Sequence, residues 1–301
     1  MTDTRRAIAA PMPGAGRLLA AQVGYQARLL ASGRAITIGI VLPVLLLISA
    51  HARHTGTTTS AGAATYAVFG LTLTAWNTYG VRLVAAREAG VLKRWRATPL
   101  PRWCYFLGRI LATVVVATVA GVATVAAAVL LYHTHLTVTA ALGALIAFVL
   151  GASAWAAAAT ALTSVIPTVE AAAPTLMLTY FPILIISGVL GSFSEPHWLT
   201  VLVSYLPAQP LAHAAGTALA YTPGHVWLPA RDLVVLAAWA LGGIVVALVT
   251  FRWEPNRPAQ RRTARKPRRA GRTGPGGRAG SNDPATTPGH YTSASSGAAD
   301  H

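Results

Sequence analysis

The sequence predicts an all-α polytopic membrane protein: six transmembrane helices, an N-terminal interfacial helix, a cytoplasmic helix between spans two and three, and short outer-leaflet helices between spans five and six. Three observations carry that prediction. The 301 residues are 54% hydrophobic and only 11% charged, which does not describe a water-soluble core. Apolar runs that reach or approach the roughly 20 residues needed to cross a hydrocarbon layer recur along the chain. The Lys and Arg residues sort with those runs: five precede the first, seven lie in 82–109, ten follow from Arg252 onward, and only Arg53 and Arg231 fall elsewhere. That distribution places one side of the protein in the cytoplasm.

Residues 1–34 read as a cytoplasmic N-terminus. Within it, Gly16 to Arg34 sets Leu18, Leu19, Val23, Leu29 and Leu30 toward one side, with Arg17, Gln22, Gln26 and Arg28 interleaved, as in a helix lying in the interface. The transmembrane domain covers 35–253. Its first span, Ala35 to Ala50, is short and holds Pro43, which a membrane helix tolerates as a kink. The second runs Ala61 to Val84, the third Ile110 to Tyr132, the fourth about Val138 to Leu162, the fifth about Ala171 to Leu190 and the sixth Leu233 to Trp253. An even number of spans after a basic start puts both termini in the cytoplasm. Gly143, Ala147 and Gly151 form a small-residue row that lets a second helix approach closely, expected within the chain rather than at a dimer seam.

Between the fifth and sixth spans, 191–229 is apolar but broken by Pro196, Pro207 and Pro210, which predicts one or two short helices dipping into the outer leaflet. Beyond Glu254 the chain has almost no large apolar residue, so 254–301 is expected to be a disordered basic cytoplasmic tail. Its cluster Arg261 to Arg272 suits anionic lipid headgroups. The net charge of +16 is accounted for by topology, and no specific nucleic-acid partner is expected. Thr4-Arg5-Arg6 and Ala50-His51-Ala52 are poor export and cleavage signals, because the apolar run between them begins only at Ala35 and further spans follow.

The stretch REAGVLKRWRATPLPRWCYFLGR, Arg87 to Arg109, joins spans two and three and reads as a cytoplasmic loop. REAGVLKRWRA fits a short amphipathic helix with Val91, Leu92 and Trp95 as its apolar stripe, stopped by Thr98-Pro99-Leu100-Pro101. At Glu88, Gly90, Leu92, Arg94, Arg96, Thr98, Pro99, Leu100 and Pro101, followed by Gly108 and Arg109, the chain resembles the permease subunits of ABC-2-type exporters, in particular the branch like the daunorubicin-resistance permease. The resemblance covers the layout from about Gly16 to Trp253 and excludes the tail. It implies an elbow helix before span one, short outer helices before span six, pairing with a second permease copy or a paralogue, and a separate ABC ATPase docked on the cytoplasmic loop. Glu88, Gly90, Leu92, Arg94, Arg96, Thr98 and Pro99 are then the ATPase-coupling residues.

The chain carries no nucleotide site of its own. A phosphate loop needs Gly-Lys-[Ser/Thr], yet the only lysines are Lys93 after Leu92 and Lys266 after Arg265. ATP and Mg are therefore expected on a partner chain, with no cofactor held here and no enzymatic activity. A proton-coupled antiporter would want an ionisable group inside the membrane, and none of the eight acids falls mid-span; Glu170 and Asp232 sit at span ends. A membrane scaffold recruiting partners through its basic tail is the third reading. Histidines 51, 54, 133, 135, 197, 213 and 225 fall on the outer side without the three or four ligands of a metal site. Cys104 is the sole cysteine, so no internal disulfide forms. Neither GxSxG nor HExxH occurs.

A transport path is read from polar and aromatic residues within spans: Tyr66, Thr72, Thr74, Trp76, Asn77 and Tyr79 in the second, and Tyr180, Phe181 and Ser187 beside Pro174 and Pro182 in the fifth. Thr74, Asn77, Tyr180, Phe181 and Ser187 are the path candidates, with helix-to-helix contact as the plainer alternative for each. In the resembled exporters the second and fifth spans of two copies line the path. The expected cargo is a lipophilic drug, natural product or lipid, moved out across a bacterial plasma membrane.

Overall fold

In the computed structural model, residues 14–31, 34–52, 60–89, 102–133, 136–190, 196–222 and 225–250 are described. The chain divides into two units, Met1–Asn256 and Arg257–His301, and the second lies outside the described residues. Every regular element among the described residues is helical. In order they are α1 (Ala15–Ala31), α2 (Arg34–Ala52), α3 (Ser60–Leu73), a π turn (Thr74–Thr78), α4 (Tyr79–Glu88), α5 (Arg102–Tyr132), α6 (Val138–Thr163), α7 (Val169–Ile186), α8 (His197–Val203), α9 (Ala208–Leu219) and α10 (Ala230–Thr250). This is an all-α polytopic membrane protein. Leu107–Tyr132, Val138–Thr163 and Val169–Ile186 are each long and apolar enough to cross a bilayer. α3, the π turn and α4 form one continuous helical run, interrupted in its hydrogen bonding and not in its course.

α6 is the axis of the bundle. Ala147, Ala152, Ala154, Trp155, Ala156 and Ala157 are fully buried, and small side chains on this helix let its neighbours approach closely. The row Gly143, Ala147 and Gly151 receives α9 from within the same chain: a Cβ on Gly151 would stand 2.4 Å from Leu211 Cδ1, and one on Gly143 2.9 Å from Ala218 Cβ. Farther along, α10 packs against Ala157. α6 starts with Thr137 Oγ1 accepting from Ala140 N–H at 3.2 Å, and α7 with Thr168 Oγ1 accepting from Ala171 N–H at 3.3 Å. Threonine at the N-cap meets backbone donors that have no partner within the helix.

Several boundaries differ from the sequence reading. α7, the predicted fifth span, stops at Ile186 rather than near Leu190, because Gly188 takes φ 70° and closes a Schellman cap. In that cap Val189 N–H donates to Leu184 O at 3.1 Å and Gly188 N–H to Ile185 O at 3.1 Å. The stretch Arg87 to Arg109 is not wholly loop: Arg87 and Glu88 finish α4, and Arg102 to Arg109 begin α5. Tertiary contacts draw these ends into helix. Arg109 is buried, its guanidinium carbon 5.8 Å from the centre of the Tyr79 ring, and Gly108 lies against Gln22 of α1.

The inward face of α1 shares Val23 and Leu30 with the predicted side but is turned to take in Gln22 and Gln26 and to leave out Leu29. Gln22, Gln26 and Leu30, spaced at i, i+4 and i+8, are buried, while Tyr25 and Leu29 are exposed. Leu30, with Val23 and Ala27, packs on Ala112 and Val116 of α5. The aliphatic stem of Gln22 fills the space that Gly108 leaves.

Candidate functional site

Two neighbouring side chains at the end of α4 hold the turn between α6 and α7. Arg87, buried, donates Nη1 to Thr163 O at 3.0 Å and to Ser164 O at 3.3 Å, and Nη2 to Ile166 O. These carbonyls belong to the last residue of α6 and the turn after it, where helical acceptors run out of intrahelical donors. Glu88 reaches across the same turn: its Oε2 accepts from Val169 N–H, the first residue of α7, at 2.9 Å. A cation thus sits on the negative end of one helix dipole and an anion on the positive end of the next. Burial draws the Arg87 guanidinium below its ordinary value, and the adjacent Glu88 raises it again.

Glu88 is the described member of the predicted coupling set; Gly90, Leu92, Arg94, Arg96, Thr98 and Pro99 lie outside the described residues. The sequence reading places Glu88 in the cytoplasmic coupling loop; its hydrogen bond goes to the backbone of another helix. Arg87, read there as one more loop charge, is the larger part of the contact. The available signal is Arg-Glu at the end of one span and Thr163-Ser-Val-Ile-Pro-Thr168 between two others, a turn whose hydroxyls are engaged within their own helices and leave its carbonyls to an outside donor.

The π turn carries two of the path candidates. Thr74 is buried, donates Oγ1 to Gly70 O at 2.9 Å and lies against Gly39 of α2. Asn77 has its Oδ1 enclosed without a hydrogen-bond partner. Tyr180 on α7 is fully buried, donates to Phe69 O at 3.1 Å and shares a 2.9 Å hydrogen bond with Thr72. Phe181 is exposed, with its ring centre 5.6 Å from that of Tyr180, and Ser187 is a buried C-cap whose Oγ has no partner. The structure therefore brings Tyr180 and Phe181 together and turns Thr74 toward α2.

A cavity of about 530 Å³ opens between the π turn, α6, α7 and α10, lined by Trp76, Leu162, Thr179, Ile183, Trp239 and Gly243 among others. None of the five path candidates is on that lining; Thr179 and Trp76, immediate neighbours of Tyr180 and Asn77, are. Trp76 donates Nε1 to Leu176 O at 2.9 Å, so its indole bridges the π turn and α7 while its ring meets Trp155 edge-on at 5.3 Å. It sits inside the π turn, whose extra residue shifts side chains out of α-helical register. Periodicity in the sequence does not register such an insertion.

No curated protein matches the chain. The family model described as ABC-2 family transporter protein matches residues 35–249, from α2 through α10. With membrane-capable helices and that match on the same residues, the chain belongs to the ABC-2 transporter family, and it is a membrane-embedded permease component of the kind that works with an ABC ATPase.

Proposed function

We propose that this chain forms the transmembrane half of an ATP-driven exporter of the drug-resistance type, moving a lipophilic compound outward across a bacterial plasma membrane. Two copies, or one copy and a paralogue, pair in the bilayer, and ATP with Mg is held by separate subunits below. Both termini and the segment 90–101 face the cytoplasm, as the basic residues require.

The observation that carries this reading is the Arg87–Glu88 contact with the turn 163–169. The segment after Glu88 is where the ATPase docks, and it leaves α4 directly beside this contact. A push delivered there is passed to α4, α6 and α7 together, since one pair of side chains ties all three. The 530 Å³ cavity with its two indoles lies between the π turn, α6, α7 and α10 and suits an apolar cargo. Trp76, Thr179 and Trp239 are its recognition groups.

The test is to isolate the full chain with its nucleotide-hydrolysing partner and reconstitute both in vesicles. ATP-dependent movement of a lipophilic dye, absent without the partner, is expected. Movement driven by a pH gradient alone, with no ATPase present, overturns the reading.

A further inference from the structure

At the end of the bundle away from Glu88, a second cavity of about 220 Å³ is lined by Ser204, Gln209, Pro210, His213, Arg231 and Asp232. We propose that it binds the phosphoethanolamine headgroup of a membrane phospholipid, with the phosphate on Arg231 and the ammonium on Gln209 and Asp232. The site rests on membrane embedding alone and not on the export mechanism.

The chemistry of the lining points to a zwitterion. Arg231 donates Nη2 to Ser204 Oγ at 2.8 Å and lies 5.3 Å from the centre of the Tyr205 ring, which fixes the guanidinium at the rim. A guanidinium has five N–H donors, so several remain for the oxygens of a phosphate. Asp232 is buried and accepts from His213 Nδ1 at 2.5 Å through Oδ2 only. His213, well exposed, holds the carboxylate in place. Gln209 Oε1 is enclosed and accepts nothing. An enclosed acceptor without a donor is costly, and a ligand N–H removes that cost.

One fixed cation and one fixed anion share a small cavity, so a ligand of net charge near zero with both signs is matched. A purely anionic headgroup meets Asp232, and a trimethylammonium has no N–H for Gln209. The surroundings supply the acyl chains' environment. Trp198, Val201, Leu202 and Tyr205 on and after α8 and Val234 on α10 are exposed apolar side chains flanking the polar lining. Trp239 donates Nε1 to Tyr205 O at 2.7 Å, which holds the segment after α8 against α10 beside the mouth.

The experiment follows the thermal unfolding of the full-length protein in neutral detergent. It is titrated with phosphatidylethanolamine, phosphatidylcholine and phosphatidylglycerol of identical acyl chains, and separately with soluble O-phosphoethanolamine. The ethanolamine lipid is expected to bind about tenfold more tightly than the other two, the order of one charge-assisted or buried hydrogen bond. Gln209→Leu is expected to abolish that preference, and Arg231→Gln to weaken binding of all three lipids, which share the phosphate. Each variant is compared with itself across lipids, so a general loss of stability does not mimic the result. Stabilisation by soluble O-phosphoethanolamine as well would support the same site and show that the headgroup suffices; stabilisation by the lipid alone supports it with the acyl chains required. Equal stabilisation by the three lipids, a preference for phosphatidylglycerol, an ethanolamine preference that survives Gln209→Leu, or undiminished lipid binding by Arg231→Gln overturns the proposal.

Discussion

Glu88 Oε2 and the Val169 amide are 2.9 Å apart, although 81 positions separate them in the chain. The bond places a carboxylate from the end of α4 at the first turn of α7, and it does so next to the segment where an ATPase would engage. Glu88→Lys is expected to insert normally and to cost only about 1 kcal/mol of stability, the scale of a charge at a helix N-terminus. Transport should nonetheless lose its link to hydrolysis. Reconstituted complexes would show ATPase activity without matching efflux; efflux equal to wild type per ATP hydrolysed refutes the role given to Glu88.

Arg87 should be the more sensitive of the pair. Its guanidinium satisfies three carbonyls in a site from which water is largely excluded, so Arg87→Ala leaves orphan acceptors and is expected to cost about 3 kcal/mol. Arg87→Lys should recover only part of that, since a point-charge ammonium cannot fork across Thr163, Ser164 and Ile166. Denaturant or thermal unfolding of the purified protein measures both. Equal stability of Arg87→Ala and wild type would remove the contact from any account of how α4 is tied to α6 and α7.

Much of this architecture is legible in the sequence because the membrane simplifies the code. Apolar runs bounded by Arg, Pro and Gly mark helices, and the small row Gly143, Ala147, Gly151 announces a close approach. What the runs do not encode is which side chain crosses to which backbone. Arg87 counts equally as a loop charge or as a cap until the turn 163–169 is folded beneath it. Asp232 and His213 read separately as a span-end acid and an outer histidine, because their meeting depends on how α9 lies against α10. Gln22 and Gln26 point inward against their polarity, and for Gln22 it is Gly108 of α5 that leaves room for the stem. The Schellman cap at Gly188 was written in Ser187-Gly188 but hidden by the apolar residues Val189 and Leu190 that follow.

Cys104 gives a direct probe of the start of α5. It is the sole cysteine, 1% exposed, and burial pushes its thiol above the ordinary range. Both effects slow alkylation, because the reagent needs access and the thiolate is the nucleophile. A maleimide at neutral pH is expected to leave the native protein unlabelled and to modify it stoichiometrically in denaturant. Rapid labelling in the native membrane would mean that the N-terminal turns of α5 stand clear of their neighbours.

Adjacent glycines on α10 should respond oppositely to one methyl group. A Cβ on Gly242 meets nothing within 4 Å, whereas one on Gly243 would lie 2.8 Å from the backbone carbon of Ala157 and 2.6 Å from its Cβ. Gly242→Ala is therefore expected to be neutral or slightly stabilising, because alanine costs less backbone entropy in a helix. Gly243→Ala must push α10 off α6, at about 1–3 kcal/mol, the range for overpacking a close-packed contact. Gly151→Ala offers the contrasting case, since its obstacle is the side chain of Leu211 and not backbone. Pairing Gly151→Ala with Leu211→Ala should restore part of the lost stability, while no side-chain trimming at Ala157 can relieve Gly243→Ala, because the clash includes the main chain itself. A double-mutant cycle on unfolding midpoints distinguishes the two. Additive losses at Gly151 and Leu211 would show that α9 does not rest in the small-residue row of α6.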